Sequence, residues 1–277
     1  MSAQWESRFF ERSALYEPLC SAAAALGAGD WPAPEDLQRL VSARATPIIS
    51  GGGAPIRFVA AGAKGTRPED RYEPRIYRRG EVPLRSANWH DLFNALAWLT
   101  FPLAKAALNA RHFEAQRAQQ AQQAAGAANR GPLQDALTLF DESGLIVVAA
   151  DSELLGMLEA FAWKELFWSN RARVAANMRF YTFGHALYEK MLAPFRGITG
   201  RAIRLEVERD FLAAPLQAQL ELIDAALAHC WLDPAAPGSP RELAPLPVLG
   251  VPGWHDPNCN ETFYDDSGYF RPGRITR

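Results

Sequence analysis

Four polar side chains, Asn88, His90, Asp91 and Asn94, sit inside a run from 88 to 96 that is otherwise apolar and has the pattern of a helix start. Polar groups in such a place must be hydrogen-bonded, bound to a ligand, or engaged in chemistry. His90 and Asn94 are four apart and share a helix face; Asn88 and Asp91 are three apart and share another. Arg85 lies just upstream. Helix capping by Ser86 or Asn88, with Asp91 in the first turn, accounts for part of the cluster. It leaves His90 and Asn94 unexplained, and a histidine beside carboxylates suits general acid–base work or metal ligation.

Three further groups could join it. Lys105, Asn109 and His112 repeat the pattern at spacings of four and three, which also describes an exposed polar stripe. His185 and Glu189 are four apart, suiting two ligands of one metal or an imidazole oriented by a carboxylate; a plain surface pair has the same spacing. Asp135 precedes an apolar segment and is expected at a strand end facing the helix pair. Asp141 and Glu142, before Ser143-Gly144, read as turn chemistry. The expected catalytic set is therefore His90, Asp91, Asn94, Asp135, His185 and Glu189. Arg85, Asn88, Lys105, Asn109 and His112 are expected to bind the ligand. Trp254, Asn260 and Tyr264 join them from an irregular segment dense in aromatic and amide side chains, the kind of loop that covers a pocket. Arg85 or Lys105 would clamp an anion.

Familiar motifs are missing. Gly51-Gly52-Gly53 lacks the Lys-Ser/Thr of a phosphate loop, and neither a Gly-x-Ser-x-Gly elbow nor a His-Glu-x-x-His pair occurs. His90-Asp91 is the pair of metal-dependent phosphohydrolases, without the further His and Asp those enzymes need. His90, Asn109 and His112 follow the order of a His-Asn-His nuclease, but the helix at 88–99 lies where that fold needs its loop. No pair has a strong metal signature. No tightly held metal is expected, and a divalent ion, if used, would be weakly bound and exchangeable.

The elements that must position these residues follow from periodicity. Residues 3–26 read as a first helix and 35–43 as a second, with Ser50 to Gly53 a flexible break. Residues 56–60 read as a strand, and 71–77 with 81–85 as a hairpin. A buried helix begins near Asn88 and breaks at Phe101 before Pro102; its continuation runs to about Gln123. The Gln/Ala-rich tract at 116–128 then frays towards Gly126. Residues 136–150 read as a second hairpin, 152–168 as a helix capped by Asp151, 178–183 as a strand, 184–193 as a helix, 202–207 as a strand and 211–231 as a last helix. From Asp233 the chain is Pro- and Gly-rich yet too apolar for disorder. The expectation is α+β: a mainly helical single domain around a short, mostly antiparallel sheet. Its parts are N-terminal helices (1–50), a body (54–232) and an irregular C-terminal wrap (233–277).

Composition narrows the function class. The 277 residues carry Lys+Arg 29 against Asp+Glu 31, a net charge of -2, so no basic excess points to nucleic acid. Residues 57–85 are a local exception, with eight cations and four anions, read here as a solvated face. Three scattered cysteines make no disulfide framework. The charged N-terminus lacks the apolar run of a signal peptide, and no segment has the length of a membrane span, so a cytoplasmic location is expected. A small-molecule ligand is the expected partner; oligomeric state is not specified.

Four blocks carry a family resemblance: 88–112, 135–144, 183–202 and 245–272. On them the chain resembles the bacterial domain-of-unknown-function family numbered 3025, a group from Gram-negative bacteria. The N-terminal helices match less clearly. The resemblance implies no activity; it implies that the polar positions in those blocks belong to one recurring design, a pocket built from the helix at 88, the hairpin at 136 and the wrap. Two readings follow. One is a hydrolase using acid–base or metal-assisted chemistry on a small polar or phosphorylated substrate. The other is a non-catalytic binding or interaction protein whose polar cluster fixes the packing.

Overall fold

Short turns, not one long helix, open the chain. The computed structural model describes residues 4–62, 67–124 and 131–273. In it, 3-10 turns at Phe9–Glu11 and Ala14–Leu19 precede α1 (Cys20–Ala24). The helix expected over 3–26 fails because Pro18 cannot donate and Ser13 Oγ accepts the Leu15 N–H, restarting the backbone. α2 (Pro34–Ser42) follows as expected. The glycines after Ser50 form a tight turn rather than a loose break: a Cβ on Gly51 would fall 2.6 Å from Ala106 O.

The first expected hairpin is a strand–helix–strand unit. β1 (Arg57–Ala60) is followed by α3 (Tyr72–Arg79) and β2 (Glu81–Leu84), and β1 and β2 pair in parallel. Residues 72–79 coil because Glu73 and Arg78-Arg79 suit the two ends of a helix dipole. Gly80, at φ 66°, supplies the left-handed stop and donates its N–H to Ile76 O at 2.8 Å. Within residues 57–85, Arg57, Arg67, Arg75 and Arg79 are spent in ion pairs with Glu69, Asp70 and Glu81.

α4 (Trp89–Thr100) and α5 (Pro102–Ala124) break at Phe101 as expected. The Gln/Ala-rich tract is helical through Ala124; the fraying expected beyond it falls on 125–130, outside the described residues. The second expected hairpin is α6 (Pro132–Ser143) running straight into β3 (Gly144–Ala149). Pro132 opens the helix, and Leu133, Ala136, Leu137 and Phe140 make a stripe of period 3.6, which outweighs the alternation read as a strand.

α7 (Ser152–Glu159) is capped by Asp151 but ends early. Phe161 takes a left-handed φ of 57°, and a π-helical turn at Glu165–Ser169 carries the rest of the expected helix. α8 (Arg171–Asn177), β4 (Met178–Thr182), α9 (His185–Met191) and β5 (Thr199–Glu206) follow. Pro215 splits the last expected helix into α10 (Arg209–Ala213) and α11 (Leu216–Leu232). β6 (Ala244–Pro247) belongs to the wrap, which is otherwise a series of 3-10 turns.

The larger sheet runs β4-β3-β5-β6, with β3–β4 and β5–β6 antiparallel and β3–β5 parallel. Every residue of β3 is buried, and its period of two divides the core. Leu145, Val147 and Ala149 face a layer made by the N-terminal turns, α4, α9 and the wrap. Ile146 and Val148 face α5, α6 and α11. The fold is α+β, and among the described residues no helix is long and apolar enough to cross a membrane.

Candidate functional site

α9 begins against the joint between α6 and β3. A Cβ on Gly184 would lie 2.4 Å from Gly144 N and 2.5 Å from Ser143 N, so only glycine permits the approach. Gly184 N–H donates to Gly144 O at 2.9 Å. This contact sets His185, first residue of α9, against Asp141 in the last turn of α6, with His185 Nδ1 3.6 Å from Asp141 Oδ2. α4 brings His90 to the same place: its Nε2 lies 3.0 Å from His185 Nε2, and its Nδ1 lies 2.9 Å from Glu189 Oε2. The two rings meet edge to face, centroids 4.4 Å apart.

Beneath this chain lies a buried ion pair. Lys105 of α5, 4% exposed, donates to Asp141 Oδ1 at 2.5 Å and to Asn94 Oδ1 at 2.8 Å. Asn94 in turn donates to Tyr72 Oη of α3. Asn109 Nδ2 donates to Glu73 Oε2 at 2.8 Å and to Glu73 O at 3.1 Å.

These elements enclose a cleft of about 300 Å³. Tyr72 and Glu73 form one wall; Arg85, His90, Asp91 and Asn94 form the next. Thr138, Asp141 and Glu142 of α6 close it, with His112 and His185. At its inner end a void of about 10 Å³, the space of one water, is lined by Tyr72, Glu73, Lys105, Asn109, His112 and Asp141 among others.

Electrostatics differ sharply between neighbours. Burial pushes His185 down to about 4, against the pull of Asp141, so the ring is neutral at pH 7. Burial alone would raise Asp141, but Lys105 and His185 outweigh it and hold its carboxyl below the usual range. Glu73 moves the other way, raised by burial and by the Asp141 charge. Asp91 is opposed by burial yet held low by Arg85, which gives it three hydrogen bonds of 2.7–2.8 Å.

The proton pattern of the imidazole pair follows from the acceptors around it. A carboxylate at Glu189 only accepts, so His90 Nδ1 carries hydrogen. One hydrogen lies between the two Nε2 atoms. If His185 owns it, the pair holds two protons and His185 Nδ1 is a bare lone pair. If His90 owns it, the pair holds three: His90 is an imidazolium beside Glu189, and His185 Nδ1 is protonated towards Asp141. His185 Nδ1 is buried with no hydrogen-bond partner among the described residues. It faces Asp141, whose Oδ2 lies 3.6 Å away.

Of the residues singled out by sequence, His90, Asp91, Asn94, His185, Arg85 and His112 line the cleft; Lys105 and Asn109 line the void, and Glu189 bonds His90. Asn88 caps α4, its Oδ1 accepting Asp91 N–H at 2.9 Å. Four residues are placed elsewhere. Asp135 is exposed in the first turn of α6 rather than at a strand end, because 132–143 is helical. Trp254 is packed in the core, Asn260 is exposed on the wrap, and Tyr264 donates to Gly250 O within it. Among the described residues the wrap therefore supplies none of the cleft's walls. Sequence spacing missed Tyr72, Glu73, Thr138, Asp141 and Glu142. Reading 132–143 as a helix would have found three of them, since 138, 141 and 142 share one face. Among the described residues no three His, Cys, Asp or Glu side chains are gathered so as to hold one metal ion.

A family model described as a protein of unknown function (DUF3025) matches residues 56–274, a span that contains every residue of the cleft. Comparison with curated proteins and with solved structures gives no match.

Proposed function

The chain belongs to the DUF3025 family, to which no reaction is attached, and we propose from its cleft that it is an acid–base hydrolase of a small, uncharged, polar substrate. The observation that carries this reading is the chain of contacts from Asp141 through His185 and His90 to Glu189, in which the two Nε2 atoms lie 3.0 Å apart, His185 Nδ1 lies 3.6 Å from Asp141 Oδ2 and His90 Nδ1 lies 2.9 Å from Glu189 Oε2. A water or hydroxyl in the cleft gives its proton to the imidazole pair, and hydrogen shifts across the Nε2–Nε2 contact to His90. The positive charge comes to rest beside Glu189, on the half-exposed side of the pair, rather than on the buried ring. The pair thus accepts the proton without leaving on His185 the charge that burial disfavours.

The cleft's charges favour a neutral substrate. Arg85 and Lys105, the expected anion clamps, are each committed to a carboxylate, Asp91 and Asp141. A phosphate would have to break one of these pairs, whereas a polar neutral molecule meets the polar side chains of the lining without displacing either. The non-catalytic reading suits Asn94, Lys105 and Asp141, which satisfy one another. It does not account for His90 and Glu189, which extend the network to the half-exposed side of the cleft.

The test is a panel of 4-nitrophenyl acetate, ethyl acetate, acetanilide and, as the anionic control, 4-nitrophenyl phosphate. Turnover is expected on a neutral substrate and not on the phosphate, with a loss of about 10²–10⁴-fold in His90→Gln and in His185→Gln. Equal rates in wild type and both variants would contradict the proposal. Turnover of none of the neutral substrates would favour the binding reading.

A further inference from the structure

One carboxyl shared by the cleft and the void has no part in the imidazole relay. Glu73, in the first turn of α3, lines both the cleft and the void at its inner end. Asn109 fixes its Oε2 as an acceptor from behind, which leaves Oε1 to carry a hydrogen. Asn109 Oδ1 is buried without a partner among the described residues, and Asn109 lines the same void, so an acceptor waits there for a donor.

Resting on the hydrolase reading, we infer that Glu73 is the general acid of the cleft, the group that protonates the leaving oxygen while the imidazole pair deprotonates the attacking water. The charges around it sort the roles. Asp141 on α6 faces it as an anion; His112 and Lys105 approach from α5; Tyr72 is its neighbour on α3. Burial and Asp141 raise Glu73 and outweigh the lowering by His112, Asn109 and Lys105, while Lys105 keeps Asp141 ionised. Two carboxyls beside one small space, pushed apart in this way, divide into an acid and an anion.

The step balances. Water gives one proton to the imidazole pair, and its oxygen bonds the substrate's carbonyl carbon. The bond from that carbon to the leaving oxygen breaks, and the leaving oxygen takes the proton of Glu73. The extra proton of the imidazole pair then returns to the Glu73 carboxylate, restoring both. The products are a carboxylic acid and an alcohol.

The experiment compares ethyl acetate with 4-nitrophenyl acetate, whose leaving group departs without a proton. Glu73→Gln keeps the carbonyl that accepts from Asn109. It is expected to depress turnover of the ethyl ester about 10²-fold more than that of the nitrophenyl ester, whereas His90→Gln depresses both alike. Equal losses on the two esters in Glu73→Gln would overturn the assignment and leave the hydrolase reading standing; unchanged rates in His90→Gln would overturn that reading instead. The carboxyl is also read without turnover. In protein carrying 13C-δ-labelled glutamate, the resonance missing from Glu73→Gln should titrate above the ordinary glutamate value of about 4.3. Titration at or below that value would overturn the assignment whether or not either ester is cleaved.

Discussion

His185 and Asp224 are both buried ionisable groups, and burial drives their pKa values in opposite directions. His185 is pushed down to about 4. Asp224 of α11 is pushed up to about 6, although its two oxygens accept Leu103 N–H at 3.0 Å and Ala104 N–H at 2.8 Å and so cap α5 from a neighbouring helix. The unfolded imidazole binds its proton near 6.5, above the folded value, so its contribution is complete above about 6.5 and is lost as pH falls towards 4. The unfolded Asp titrates near 3.9, below the folded value, so its contribution is complete below about 4 and is lost as pH rises through 6. Each is worth on the order of 3 kcal/mol over that window. Denaturant titrations from pH 4 to about 6.5 should therefore show opposite changes of slope relative to wild type. Stability should fall more, or rise less, with pH in His185→Gln, and rise more in Asp224→Asn. The same sign of change in both variants would contradict these environments. The spacing of the histidines was legible in the sequence, because His90, Asn94, Lys105, Asn109, His112, His185 and Glu189 all lie on segments that proved helical. Their partners Glu73 and Asp141 were not, because both segments were read with a period of two.

At the scale of elements, the site depends on one close approach. α9 must meet the α6–β3 joint for His185 to reach Asp141, and Gly184 is the contact. Gly184→Ala should cost about 1–3 kcal/mol and separate His185 from Asp141. Gly156→Ala is the control. That glycine lies on the exposed face of α7, and a Cβ there meets nothing within 4 Å. It should stabilise the chain by about 0.4–1 kcal/mol. Thermal melts of the two variants check both signs; a neutral Gly184→Ala would mean that the joint yields easily. Several boundaries were readable, notably the break at Phe101 before Pro102 and the Asp151 cap. Others were not, for identifiable reasons. Pro18 and Pro215 interrupted runs whose apolar spacing looked continuous, and α6 leads directly into β3 without the loop that two-residue turn signals suggest.

The whole molecule closes through its ends. The N-terminal turns put Phe9, Leu15 and Tyr16 into the same core cluster as Trp89 and Phe93 of α4 and Trp254 and Phe270 of the wrap. Asn258, fully buried, ties the wrap together: its Nδ2 donates to Leu249 O and Val251 O, and Arg171 of α8 donates to its Oδ1. We propose that the chain unfolds as one unit. Truncation after Ala244 removes most of β6 and uncovers the apolar faces that Trp254, Tyr264, Tyr269 and Phe270 cover, so the shortened protein should aggregate or melt far lower. A soluble truncated protein with an unchanged Tm would show that the wrap is dispensable. The packing of this tail was legible from its aromatic content. That it would build no wall of the cleft was not, since an irregular segment carries no periodicity to say which way its side chains face.

The claim on which the functional reading rests is that His90 and His185 act as one proton-sharing pair between Asp141 and Glu189. Nitrogen-15 NMR of the imidazole rings across the pH range reads this directly. The expected result is a neutral His185 down to about pH 4, protonated His90 Nδ1, and loss of the His185 pattern in His90→Gln. A His185 ring that titrates near the ordinary value of about 6.5, and does so unchanged in His90→Gln, would contradict it.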